Sequence, residues 1–226
     1  SAPMDISAIM ISTPEINRPG LHLAGYFEFF DEKRIQIIGK SEESFLDRFA
    51  PEKAEERVEE FFSHKPAAVV ICRNLEIPTQ YIELAQKYEL PVMSHTGGCE
   101  AADAKYVYEM ALKYPKVNFI LAHMGLGTDN KEAINFMEKA ENLYADTAWV
   151  PVTSTIEIIK RFGSKRIFFG SDSPIDGVDT YYYNREGQPS MYREYFHGLE
   201  DVIGTEAYQD LMYQNAIEFF KIKLPK

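Results

Sequence analysis

Apolar, β-branched runs recur at an even interval along this chain, and that interval restricts the possible folds more than any single motif. The runs cover residues 8–13, 34–38, 67–72, 91–95, 117–123, 143–147 and 166–170. Their starts lie about 23 to 33 residues apart, the length of one strand plus one crossover helix. Between them stand helical patterns such as Ala54-Glu-Glu-Arg-Val-Glu-Glu-Phe-Phe62, Gln80-Tyr-Ile-Glu-Leu-Ala-Gln-Lys-Tyr88 and Ala104-Lys-Tyr-Val-Tyr-Glu-Met-Ala-Leu-Lys-Tyr114. Their apolar residues sit three and four apart, which gathers them on one helical face. Strand and helix alternate, so the sheet should be mostly parallel and covered by helices. The uninterrupted apolar stretches 69–71 and 119–121 fit strands buried on both faces. The expected architecture is α/β, with about seven parallel βα units forming a TIM-barrel-like ring or a curled open sheet. A small α/β sheet lobe joined to a half barrel is the alternative.

A chain of 226 residues can form one large α/β domain or two small ones, and 45% hydrophobic residues can fill a sizeable core. No Gly/Ser linker or low-complexity stretch divides it. The longest non-periodic segment, residues 173–190, reads as a loop over the C-terminal ends of the strands, and residues 206–221 read as a closing amphipathic helix. A formal charge of −11 argues against nucleic acid, whose phosphates demand a basic face, and against an anionic membrane surface. No apolar run reaches the roughly 18 residues that a membrane span requires. Ser1-Ala-Pro-Met4 lacks the features of a secretory leader, and the residues ahead of Met4 read as an expression remnant. Cys72 and Cys99 are the only cysteines and form no Cys-x-x-Cys, which suits reduced thiols in a cytoplasmic protein. Cys72 reads as a small core residue and Cys99 as a loop thiol.

Three segments each end an apolar run on a metal-competent or proton-competent side chain. They are Pro91-Val-Met-Ser-His95-Thr-Gly-Gly98, Phe119-Ile-Leu-Ala-His123-Met-Gly125 and Arg166-Ile-Phe-Phe-Gly-Ser-Asp172-Ser-Pro174. A barrel enzyme builds its site this way, one group from the C-terminal end of each strand. Zn²⁺ accepts neutral imidazole and carboxylate ligands, and a catalytic centre keeps one position open for a water that ionises near neutral pH. His95, His123 and Asp172 are therefore the candidate site residues. Asp146, in Tyr144-Ala-Asp-Thr147, is a strand-end carboxylate able to orient a ligand or bond a neighbouring loop. No His-x-His pair occurs anywhere in the chain, nor any Gly-x-x-x-x-Gly-Lys-[Ser/Thr], so P-loop phosphoryl transfer is not supported.

From Pro91 onward the chain resembles the second half of a metal-dependent amidohydrolase barrel, the group that includes aminocarboxymuconate-semialdehyde decarboxylase. Besides the three segments above, the matching pieces are Tyr114-Pro-Lys-Val-Asn118, Asn142-Leu-Tyr-Ala-Asp-Thr-Ala-Trp149 and Asn215-Ala-Ile-Glu-Phe-Phe220, in the family's order. The resemblance implies a metal-ligand role for His95 on the fifth strand of that barrel and for Asp172 at the end of the eighth. It implies an acid/base role for His123 on the sixth. The first ninety residues resemble something else, the N-terminal domain of HPr kinase/phosphorylase. That likeness rests on Asn17-Arg-Pro-Gly-Leu-His-Leu-Ala-Gly-Tyr26, Arg34-Ile-Gln-Ile-Ile-Gly-Lys-Ser-Glu42 and Ala68-Val-Val-Ile-Cys-Arg-Asn-Leu-Glu-Ile-Pro78. The implied boundary lies near residue 90, inside a helix-to-strand segment that fits either parent, with 1–90 and 91–226 packed as one α/β domain.

A hydrolase of the amidohydrolase type takes two metal ligands from a His-x-His pair on its first strand, and this chain has none to offer. Losing two ligands should cost on the order of a thousandfold or more in metal affinity. The remaining histidines do not replace them. His22 reads as packed at the core, His64 sits in a turn at the wrong strand end, and His197 falls in a late, exposed helix. Asn17-Arg-Pro-Gly20 reads as a turn and helix start whose amides, or Arg18, could hold an anion. Asp176, Asp179 and the run 52–60 read as solvated surface. The chain thus reads as a recombinant, engineered chimeric scaffold that keeps half of an amidohydrolase metal site, binding Zn or another divalent metal weakly and without established catalysis. The alternatives are a metal-dependent hydrolase or decarboxylase acting on a small-molecule substrate, and a ligand-sensing module. Exposed strand edges make a homodimer plausible in each case.

Overall fold

The computed structural model describes residues 8–11, 68–71, 77, 79–172 and 190–222, and in them six strands form one parallel sheet. The strands are β1 (Ala8–Ile11), β2 (Ala68–Ile71), β3 (Val92–Gly97), β4 (Phe119–Leu126), β5 (Leu143–Asp146) and β6 (Ile167–Phe168). Each pairs with the next in the chain, and the spatial order never reverses. A doubly wound sheet reverses its order partway, whereas barrels wind in one direction only. A six-stranded parallel sheet in an α/β fold is therefore shown among the described residues. The seventh expected strand, 34–38, lies outside the described residues, as do the helical pattern 54–62, Cys72 and the loop 173–189.

The crossover helices are α1 (Thr79–Tyr88), α2 (Ala104–Lys113), α3 (Lys131–Lys139) and α4 (Val152–Phe162). Asp103 caps α2 by accepting the Lys105 amide hydrogen. The Asn142 side-chain amide donates to the Ala111 and Val117 carbonyls past the end of the same helix. Arg166 closes α3 in the same manner, one guanidinium nitrogen reaching the Met137 and Ala140 carbonyls. Strand alternation sends Val92, Phe119, Leu121, Leu143, Ala145 and Ile167 to the helices, where they meet Ile82, Val107, Ile134 and Ile158 in one buried core. The opposite face carries Met93, His95, Ile120, Ala122, Tyr144, Asp146 and Phe168.

Behind β6 come α5 (Arg193–Phe196), α6 (Leu199–Ile203) and α7 (Thr205–Gln209). A π turn (Asp210–Gln214) then leads into α8 (Asn215–Phe219). In the π turn the Asn215 amide bonds to Asp210, which frees the Leu211 carbonyl for the Phe169 N–H at 2.8 Å. The Asn215 side chain adds bonds to the Ser164 and Ile167 carbonyls at 2.7 and 2.9 Å. The outer edge of β6 is thereby taken up by a helix. Phe219 meets Phe168 edge-on and Phe220 meets it at a tilt, with Phe219 also against Tyr144. Among the described residues no helix is long and apolar enough to cross a membrane.

Candidate functional site

The rim at the C-terminal ends of the strands owes its shape to a bulge in β4. His95 pairs with Ala122 and Gly97 with Leu126, so two steps of β3 span four of β4. The surplus backbone turns left-handed at His123 (φ 69°), Met124 (φ 49°) and Gly125 (φ 84°), a region unfavourable to side chains such as these. Its backbone polar groups find partners. The Thr96 hydroxyl donates to the Ala122 carbonyl at 2.7 Å and accepts the Gly125 N–H at 2.8 Å. Asn130 donates to the Met124 carbonyl at 3.0 Å. The Asp146 carboxylate accepts the His123 N–H at 3.0 Å. On the β3 side, a Cβ on Gly97 would fall 2.0 Å from the Leu126 nitrogen, so only glycine fits there.

The bulge brings His123 edge-on to His95, with ring centroids 4.8 Å apart and planes at 69°. His123 is buried and directs Nδ1 at the Ala148 carbonyl, 3.2 Å away. A carbonyl can only accept, so Nδ1 carries the proton in that contact and the Nε2 lone pair of the neutral ring is left for a proton or a Lewis acid. Burial lowers the pKa of His95, and His123 beside it lowers it further; the Gly97 backbone and Asp172 pull it back up. Asp146 is buried with Oδ1 on the His123 and Ala148 amides. Burial pushes its carboxyl up to about 6, against those amide bonds and the nearby His123. Asp172, at φ 56°, receives the Trp149 indole N–H on Oδ2 at 2.9 Å.

His95 and His123 are thus in contact, and Asp172 lies close enough to act electrostatically on His95. Yet among the described residues no three His, Cys, Asp or Glu side chains converge closely enough to hold a metal ion. A catalytic zinc centre needs three protein ligands plus water. The donors present do not fit that group: one carboxylate faces backbone amides, and the other is bonded to an indole. Cys99 and His197 are exposed, the latter closing the short α5. Arg18, His22, His64, Asp176 and Asp179 lie outside the described residues.

Sequence reasoning did not find Thr96, Asn130, Trp149 or Tyr192, which fix this rim. Thr147 holds the β5 end to Gly170 through two bonds of its hydroxyl, each 2.9 Å. The Tyr192 hydroxyl accepts the Trp149 N–H and donates to the Ser171 carbonyl. Trp149 is the only tryptophan, directly behind Asp146-Thr-Ala, and that was the one signal available.

Residues 2–100 match the family described as HPr Serine kinase N terminus. The HPr kinase/phosphorylase of Alkaliphilus metalliredigens (strain QYMF) is 37% identical over 90 residues, covering 40% of this chain and 29% of that protein. The chain therefore spans under a third of the length of the curated relatives it matches. Among solved structures, a dihydroxybenzoic acid decarboxylase from Polaromonas sp. JS666, with bound manganese and the inhibitor 2-nitroresorcinol, matches with a TM-score of 0.53 at 17% identity. That match covers 79% of this chain and 68% of the decarboxylase. Metarhizium anisopliae IDCase in apo form gives a TM-score of 0.51 at 16% identity, covering 74% of this chain and 61% of the other. At these identities the likeness is one of fold. Its reach exceeds what residues beyond 100 could supply alone. The front of the chain is HPr-kinase-like in sequence, and much of the whole resembles these two solved structures in fold.

Proposed function

We propose that this chain is a recombined, engineered α/β scaffold, joined near residue 90, that keeps half of an amidohydrolase-type site and turns over little or no substrate. The observation that carries this reading is the donor set of the rim. His95, His123 and Asp172 supply types of group suited to metal hydrolysis, but the sequence offers no His-x-His pair to complete a centre. A site this poor in ligands would retain too little metal to lower the pKa of a bound water toward neutrality. His123 would remain a competent proton acceptor through Nε2, beside a neutral His95, with no Lewis acid to act alongside it. Zn or another divalent metal would bind weakly, and Asp146 would act through His123 by fixing its backbone.

The manganese in the Polaromonas decarboxylase favours one rival, a metal-dependent hydrolase or decarboxylase working on a small carboxylate. Two measurements decide between them: metal content after dialysis, and chelator-sensitive turnover of generic esters, amides and aromatic carboxylates. The scaffold reading expects far less than one metal per chain and rates indistinguishable from buffer. Stoichiometric metal with chelator-sensitive turnover would overturn it.

A further inference from the structure

The loop between β5 and α4 is laced to the tail of β6 by three successive attachments. Thr147 bonds both ways with Gly170, the Tyr192 hydroxyl bridges Trp149 to Ser171, and the Trp149 indole reaches Asp172. Tyr192 is 1% exposed, so its bridging hydroxyl sits on an immobile ring. Trp149 itself stands at φ 61°, a left-handed backbone that a bulky residue adopts only when its surroundings impose it. The imposed geometry has one consequence for the rim: it turns the indole N–H onto Oδ2 of Asp172. The same loop presents the Ala148 carbonyl to His123 and anchors the His123 N–H through Asp146.

We propose that Trp149 is an internal counter-donor for Asp172, its indole N–H competing with a divalent cation for the carboxylate. The β5–α4 loop, and not a metal, then fixes the rim. The inference rests on reading the rim as an incomplete metal centre and identifies what holds it together instead. An indole N–H is a donor only and carries no charge, so it satisfies the carboxylate without drawing in further ligands. A cation approaching Asp172 must displace the indole or use lone pairs of a carboxylate whose charge the indole N–H already partly satisfies. Hydrogen bonds to charged groups are strong enough for this competition to cost about tenfold in affinity.

Zinc chloride is the probe, and the lone tryptophan is the reporter. Zn²⁺ affinity is measured by calorimetry on the full chain as wild type, Trp149→Phe, Asp172→Ala and the double variant. The proposal expects Trp149→Phe to bind Zn²⁺ about tenfold more tightly than wild type, with that gain gone in the double variant. It also expects Asp172→Ala to shift the fluorescence emission of Trp149, and saturating Zn²⁺ to shift it in wild type. Equal Zn²⁺ affinity in wild type and Trp149→Phe would overturn it. If Trp149→Phe does not fold, the emission arm decides alone, and an unmoved Trp149 emission in folded Asp172→Ala refutes the proposal. Those failures leave the scaffold reading intact, because it falls only to stoichiometric metal with turnover in the wild-type protein.

Discussion

Asp146 puts one carboxylate oxygen on two backbone amides while the surrounding core withholds water, and the two influences oppose each other. Burial is the larger, so the carboxyl rises from an ordinary 3.8 to about 6. Between those values the folded protein keeps a proton that the unfolded chain has released. Stability must therefore fall as pH rises from about 4 to about 6, and the loss is complete above that window. A shift of this size corresponds to roughly 3 kcal/mol. His95 works the other way. Its lowered pKa means the unfolded chain takes up a proton first as pH drops below 6.5, so its contribution is lost toward acid. Asp146→Asn keeps an oxygen for both amides and removes the charge. The stability of wild type relative to Asp146→Asn, from urea midpoints, should drop by about 2–3 kcal/mol between pH 4 and pH 7. A constant difference across that range would mean that Asp146 is not perturbed by its burial.

Thr96 and the β4 bulge show where elements were legible in the sequence and where they were not. The helical pattern 80–88 became Thr79–Tyr88, and 104–114 became Ala104–Lys113, because their three-and-four spacing is a local property. Strand 143–147 became Leu143–Asp146 for a like reason. The run through Phe119–Leu126 is apolar almost throughout, so it shows no alternation for a bulge to interrupt. The residues that make the bulge possible come from three other elements. Likewise the late helix at 206–221 carries a π turn that only Phe169, far away in sequence, explains. The positions of His95 and His123 near the ends of their strands were legible, but the left-handed backbone at His123, Trp149 and Asp172 was not, since it is imposed by tertiary bonds. Thr96→Val tests the bulge with almost no change in side-chain volume. It strands the Ala122 carbonyl and Gly125 N–H in a fully buried place, at about 1–3 kcal/mol each. A loss of about 2–5 kcal/mol is expected in the urea midpoint, with the near-ultraviolet signal of the native state retained. A change under about 0.5 kcal/mol would mean that the bulge does not need its hydroxyl.

For the molecule as a whole, the issue is whether the residues that match the HPr kinase family and the residues beyond them share one interior. α1 belongs to the part of the chain that matches the HPr kinase family, yet Tyr81, Ile82 and Ala85 stand in the same buried cluster as Val107, Ile134, Ile158 and Leu211. β3 pairs on one side with β2 and on the other with β4, so the ladder runs unbroken from the family-matched residues into those beyond them. Parallel pairing suits such continuity, because each crossover unit brings its own helix and leaves the next strand's edge open to a partner of the same hand. At the far end the π turn and Asn215 occupy the outer edge of β6, which removes one place where a second chain could add a strand. A shared core predicts one cooperative unfolding transition that damage on either side moves as a unit. Ile82→Ala in α1 and Ile158→Ala in α4 both empty fully buried positions, each costing about 2–5 kcal/mol. Each should lower the same single midpoint, seen alike by far-ultraviolet circular dichroism and by the emission of Trp149, which lies in the rear part. Two lobes would behave otherwise: Ile82→Ala would split the curve, moving the dichroism at lower urea and leaving the Trp149 transition where it was.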